Sequence, residues 1–181
     1  MTAPRSCGEQ LVTLRPVQLE DAAFIAALRA SVSAKIGLNV GAVTESEQRE
    51  WLLAYIERQR QGLEHYFIIV LRSVAVGAVR IYKIDRPSGV FTWGSWVMQK
   101  GTDPSAAWLS AIAVYDYAFD VLGLSVARFE VVAQNVNVVR FHRGFGAHVV
   151  GQTDTLIEFA FTKENYCEIR GKFLSRIGAT A

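Results

Sequence analysis

Cysteine is scarce in this chain: two occur in 181 residues, Cys7 and Cys167, at opposite ends of the sequence. No Cys or His pair has the short spacing of a zinc site, so both read as reduced thiols of a cytosolic protein. Long apolar runs are missing too. The longest, such as residues 67–71, have strand length and fall far short of the ~20 residues of a membrane helix. The polar opening, residues 1–10, has no apolar stretch of the signal-peptide kind. An excess of one charge is also lacking: 19 Lys and Arg stand against 17 Asp and Glu, a net +2. Nucleic-acid binders concentrate a basic stripe, so a polyanionic partner is excluded, while a basic site for one small anion is not. No strand runs through a three-glycine turn into a helix, which excludes a dinucleotide fingerprint. No G-x-S-x-G is present, and Ser95 after Gly94 lies within a strand, which excludes a nucleophile elbow. Repeats and low-complexity segments are absent.

What is present is an ordinary globular composition, with 51% hydrophobic and 20% charged residues. A chain of this length buries roughly 70% of its unfolded surface, enough for a core without a disulfide or metal. One domain over residues 1–181 is expected, with 1–10 as an N-terminal extension. Strand-like residues 11–15 end at Pro16, and Glu20 and Asp21 open a helix. Gly37 to Gly41 is a break. Thr44 and Glu47 form a capping box ahead of Trp51, Leu52, Tyr55 and Ile56, in a helix that stops near Gly62. Strands follow over 66–71, 75–84 and 90–98, with a turn at 86–89. Pro104 behind Asp103 or Thr102 starts a helix reaching Gly123. A strand (127–132), a short helix (135–143), a hairpin (148–152 with 156–161) and a terminal helix (163–173) complete the chain. The order β-α-α-β-β-β-α-β-α-β-β-α describes an α+β fold: a mixed, mostly antiparallel twisted sheet of about seven strands flanked by helices. Only the unit spanning 90–143 demands parallel pairing, and ligands in such sheets sit beyond strand carboxyl ends, near helix N-termini.

That element order resembles the GNAT superfamily of acyl-CoA-dependent N-acetyltransferases. The most specific match is Val131-Val132-Ala133-Gln134-Asn135 through Phe141-His142 to Gly144-Phe145-Gly146. It is similar to the family's strand ending in Asn, then a small residue, an aromatic pair and a loop glycine. The resemblance implies acetyl-CoA as cofactor and a strand, residues 91–98, splayed from its parallel neighbour. Trp96, Val97 and Met98 would then offer backbone groups to pantetheine. Residues 99–105 would form the pyrophosphate loop, with Lys100, Gly101, Thr102 and Ser105 near the phosphates. This loop departs from the family in having one glycine, and Asp103 must turn away to cap the helix if phosphates are to sit there. Gly94 fits either the splay or an ordinary bulge.

Within the superfamily the chain looks most like the branch that acetylates nucleotide-linked amino-deoxysugars, as in the pseudaminic acid pathway. His65-Tyr66-Phe67, Gly77, residues 128–131 followed by Asn135, and Phe161-Thr162-Lys163 to Tyr166 carry that likeness. Asn135 serves equally as a helix N-cap, and Asn135, Val138, Val139 and His142 share a helical stripe beside the cleft, with Phe141 adjoining. His142 stands where the family has its proton-donating Tyr, so an acid limb in activity is expected if His142 is the donor; an ordinary surface or core histidine is the other reading. Glu130, in an otherwise apolar strand, is the candidate general base, or else a strand glutamate that faces solvent or pairs with Arg80 or Arg128. Tyr82, Trp93 and Trp96 either stack on a base or sugar or belong to the core; Arg80 and Lys83 either contact phosphate or are merely solvated. His65 and His148 read as ordinary. Alternative readings keep the chemistry but take a protein N-terminus or a small polyamine as acceptor, the former suggested by Leu14-Arg15-Pro16, or replace the enzyme with a non-catalytic acyl-CoA-binding module. Neither nucleic acid, membrane nor metal is expected as a partner. The hairpin over 148–161 with the terminal helix offers a homodimer edge.

Overall fold

The computed structural model describes residues 11–35 and 43–176. Cys7, the expected extension over 1–10 and the break at Gly37 to Gly41 lie outside them. Seven strands form one sheet in the order β1-β2-β3-β4-β5-β7-β6. They are β1 (Val12–Pro16), β2 (His65–Leu71), β3 (Val74–Asp85), β4 (Val90–Met98), β5 (Val126–Val132), β6 (His148–Gln152) and β7 (Leu156–Thr162). Five helices flank it: α1 (Ala22–Lys35), α2 (Glu45–Arg60), α3 (Pro104–Asp116), α4 (Val136–Gly144) and α5 (Lys163–Arg176). Every strand pair is antiparallel except β4 with β5. The mixed sheet and the element order are those expected from the sequence.

Strand alternation sends the two faces of the sheet to two cores. Tyr66, Ile68 and Ala78 meet Ile25 and Leu28 of α1 and Leu52 and Tyr55 of α2. Phe67, Val79, Phe91, Trp93 and Phe129 pack with Leu109, Ile112 and Tyr115 of α3. Thr44 and Glu47 form the capping box, with Thr44 Oγ1 accepting from the Glu47 amide at 3.2 Å. Pro16 closes β1 rather than ending the chain before it, opposite Phe67. β1 is an edge strand, so a missing N–H breaks no ladder there. The helix expected to reach Gly123 ends as α-helix at Asp116, and a π-turn follows over Tyr117–Val121. Lys163 donates to the Phe119 carbonyl in that wider turn at 3.1 Å.

Candidate active site

β4 and β5 pair only at Val90↔Val126 and Phe91↔Ala127. Thr92 then donates its hydroxyl to the Arg128 carbonyl at 2.8 Å, and beyond it the strands part. The resulting wedge is a cavity of ≈ 220 Å³ lined by residues 93–96 of β4, residues 129–132 of β5, and Asn135, Val138 and His142. A β-bulge shapes the β4 side. Ser95 and Trp96 stand together against the single Val79, and Ser95 takes φ 48°, a left-handed conformation that non-glycine residues rarely adopt. Gly94 therefore sits beside a bulge within the splay, so its two expected explanations coexist. Gly77 on β3 lies under the same segment: a Cβ there would come 2.4 Å from the Val97 carbonyl oxygen, so glycine alone fits.

The wedge opens to both faces of the sheet. On the α4 face His142 is buried, at 5% exposure, with its ring 4.4 Å from Phe129 and 5.4 Å from Trp93 between centroids. Burial pushes its pKa down to about 4, so the imidazole is neutral at pH 7. A neutral imidazole at pH 7 means that an acid limb from His142, if it is the donor, would fall well below neutral pH. On the opposite face Glu130 is exposed, because β5 alternates and Phe129 and Val131 take the buried positions. It lines both the wedge and a neighbouring cavity of ≈ 310 Å³, together with Tyr82, Lys83, Thr92, Arg128 and Glu158. Arg80 pairs with Glu64, not with Glu130.

A family model for the acetyltransferase (GNAT) domain matches residues 12–148. The chain belongs to this family. Among curated protein sequences none matches it. Of solved structures, apo FdhC, a nucleotide-linked sugar GNAT, is 32% identical, covering 91% of this chain and 93% of its own at TM-score 0.85. Spermidine N-acetyltransferase from Vibrio cholerae, in complex with CoA and spermine, is 16% identical over 87% of this chain and 98% of its own, at TM-score 0.74. The ribosomal-protein-S5-alanine acetyltransferase of Vibrio fischeri is 15% identical over 88% and 97%, at TM-score 0.75. The last two show a shared fold. The chain is an acetyltransferase that uses acetyl-CoA.

The residues of this GNAT domain fit that cofactor. Gly101 has φ +83°, and a Cβ built on it would meet nothing within 4 Å, so the loop before α3 presents its backbone to open space. Asp103 does cap the helix: its Oδ1 accepts from the Ser105 amide at 2.9 Å, which holds the carboxyl below its ordinary pKa. Thr102 donates its hydroxyl to the Gln99 carbonyl at 2.9 Å and closes the turn. Lys100 and Gly101 are exposed, and Ser105 is half-buried at the helix start. Asn135 caps α4 through the Val138 amide at 3.5 Å, and both line the wedge. Val139 is buried in the core instead of facing the cleft. Phe141 packs between Trp96 and Trp108, at 4.8 and 4.6 Å.

Other predicted residues distribute over the two faces. Trp96 is a wedge wall whose indole donates to Ser110 Oγ at 3.2 Å. Trp93 is 4% exposed and donates to the Tyr115 hydroxyl at 3.0 Å, so the ring expected to stack on an acceptor belongs to the core and the wedge wall. Tyr82 lies on the Glu130 face, with its hydroxyl over the Gly94 backbone. Met98 packs toward the α3 core and Val97 lines a third cavity, under α1 and α2. His65 is more than ordinary: its Nδ1 lies 3.3 Å from the Tyr117 hydroxyl, and burial lowers its pKa.

The sequence reading missed that third cavity. Arg29, Trp51, Tyr66, Arg80 and Ser95 line it, and buried Glu64 bridges Arg58 and Arg80 beside it. One signal was available in Glu64, a carboxylate directly preceding an apolar strand.

Proposed function

We propose that this acetyltransferase transfers the acetyl group of acetyl-CoA to a primary amine on a nucleotide-linked amino sugar, by direct attack in a ternary complex. The wedge supports the chemistry. Backbone groups of Trp96, Val97 and Met98 lie where β4 has left β5; Trp96 faces Asn135 and Val138 across the gap, and Phe141 packs on its ring. The Lys100–Ser105 turn, with its open Gly101, suits the pyrophosphate. Acetyl-CoA supplies a thioester carbonyl whose thiol is the leaving group. This chain's residues do the rest. Glu130, exposed at the mouth, takes a proton from the acceptor's ammonium directly or through one water; the amine nitrogen then bonds to the acetyl carbon as the C–S bond breaks, and that nitrogen's second proton passes to the departing thiolate. His142 stays neutral and, with Trp93 and Phe129, keeps the thioester side of the wedge apolar.

The acceptor class rests on the 32% identity to FdhC over nine-tenths of both chains, since the polyamine and ribosomal-protein enzymes share the fold at about half that identity. The experiment is thiol release from acetyl-CoA with a panel of TDP- and UDP-linked amino sugars, spermidine and an alanine-terminated peptide. Turnover with an amino-sugar nucleotide is the expected result. Turnover with spermidine or the peptide alone overturns the acceptor class, and tight acetyl-CoA binding without turnover on any amine returns the chain to a binding module.

A further inference from the structure

The cavity under α1 and α2 has a charge pattern that the acetyl-transfer site does not require. It measures ≈ 360 Å³ and is walled by α1, α2 and the sheet residues Tyr66, Ala78, Arg80, Ser95 and Val97. Ser95 also lines the wedge, so the two spaces meet at the β4 bulge. Two arginines, Arg29 and Arg80, face this cavity, and no carboxylate does among the described residues.

The Arg80 guanidinium is fixed in place. It lies 4.8 Å from the Trp51 ring, 5.1 Å from Tyr82 and 5.8 Å from Tyr66, and it is paired with Glu64. Glu64 is itself 5% exposed at its side chain and is shared with Arg58. One carboxylate between two guanidiniums leaves a positive charge over, held by rings and by a buried counter-ion. A second observation points the same way. Gln48 on α2 is 1% exposed; its Oε1 accepts from Arg29 at 3.4 Å, and its Nε2 has no partner among the described residues. Arg80 Nε is likewise buried without one. The excess hydrogen-bonding groups here are donors, which suits an anion rather than an ammonium.

We propose that this cavity is the acceptor's nucleotide subsite: Arg29 and Arg80 hold the diphosphate, Trp51 and Tyr66 offer aromatic faces to the nucleoside, and the sugar amine passes Ser95 into the wedge. It rests on the nucleotide-linked reading of the acceptor and assigns that acceptor's anchor. A polyamine would bring positive charge to two arginines, so this face selects against one. The volume suits an organic ligand of this class better than a single small ion.

Calorimetric titration of the whole chain with UDP and TDP tests the assignment, with pyrophosphate and spermidine as comparison ligands. Both nucleotides should bind, more weakly as salt rises, while spermidine does not. Arg29→Met should weaken them about tenfold, the loss of one charge-assisted hydrogen bond. Arg80→Met alone strands Glu64, so the paired variant Arg80→Met with Glu64→Met removes both charges together; it should abolish nucleotide binding and leave acetyl-CoA affinity unchanged. Equal UDP affinity in wild type and both variants overturns the subsite, and so does spermidine binding in the nucleotides' place. Pyrophosphate binding as tightly as UDP overturns the nucleoside contacts. Acetylation of an amino-sugar nucleotide with no effect of Arg29→Met on its KM sinks this inference and leaves the proposed function standing. UDP binding that responds to both variants, without acetylation of any amino sugar, does the reverse.

Discussion

His142 gives the sharpest quantitative test of the site. Its ring is 5% exposed among the rings of Trp93, Trp96, Phe129, Phe141 and Phe159, and desolvation takes its pKa from 6.5 to about 4. An unfolded chain protonates the same imidazole near the ordinary value, so below pH 6.5 the unfolded state binds more protons than the folded one. Stability must then fall as the pH drops from 6.5 toward 4, and the penalty is complete below that. Integrated over the whole shift, this is about 3 kcal/mol; between pH 7.5 and pH 5 it is about 2 kcal/mol. Near-complete burial leaves little solvent screening to reduce it. His142→Phe keeps an aromatic ring in an aromatic nest and removes the titration. Urea unfolding at pH 7.5 and pH 5 should show the wild type losing about 2 kcal/mol more than the variant, a midpoint difference of about 1 M at a slope of about 2 kcal/mol/M. Other groups titrate equally in both proteins and cancel. Parallel losses in the two proteins would refute the buried, neutral imidazole. The same shift fixes a kinetic expectation: between pH 5.5 and 8.5 any bend in the kcat profile comes from a group other than His142, and His142→Phe leaves the shape of that profile unchanged.

Three further outcomes follow from the site's geometry. Glu130→Gln should lower kcat about a hundredfold or more with acetyl-CoA affinity intact; an unchanged kcat removes Glu130 from proton transfer. Asp103→Asn preserves the cap on Ser105 while deleting a negative charge from the pyrophosphate turn, so calorimetry should find CoA binding a few-fold tighter at low salt. Unchanged affinity would mean that this carboxylate already faces away from the phosphates. Gly77→Ala drives a methyl group into the Val97 carbonyl oxygen, a backbone atom with little room to yield. Denaturation should show a loss of about 1–3 kcal/mol together with weaker CoA binding, because the displaced segment is one wall of the wedge; a loss under about 0.5 kcal/mol contradicts the contact.

Legibility in the sequence tracked how local each cause was. The β4 limits, Val90 and Met98, coincide with expectation because turn residues bound the strand on both sides and its apolar residues have strand character. The α3 start follows from Pro104 behind a side chain that can cap. The π-turn at Tyr117–Val121 left no such mark, and the partner of its Phe119 carbonyl, Lys163, lies more than forty positions later. Glu130 and His142 were both singled out, but that they approach one gap from opposite faces is a property of the sheet. The residue types on β5 alternate, which is enough to expose Glu130; only the packing of α4 on Phe129 buries His142.

The cavity under α1 and α2 shows why the rest was unreadable. Arg29, Gln48, Trp51, Arg58, Glu64 and Arg80 span more than fifty positions; three of them share α2 and Arg80 alone was open to a phosphate reading, but nothing in the spacing joins α1, α2 and β3. The register Tyr66↔Arg80 brings Arg80 on β3 beside a residue two positions after Glu64, and α2 folds Trp51 and Arg58 down over both. A carboxylate at 5% exposure is costly unless it is paired and hydrogen-bonded, and here burial, which would raise the Glu64 pKa, is outweighed by the hydrogen bonds from Arg58 and Arg80. Pairing with one arginine would have sufficed to balance the charge. The second arginine makes the cluster net cationic, and Arg80 faces the cavity that shares Ser95 with the wedge. A structural ion pair has no need of that surplus, and this is the ground on which a phosphate-bearing acceptor is proposed there.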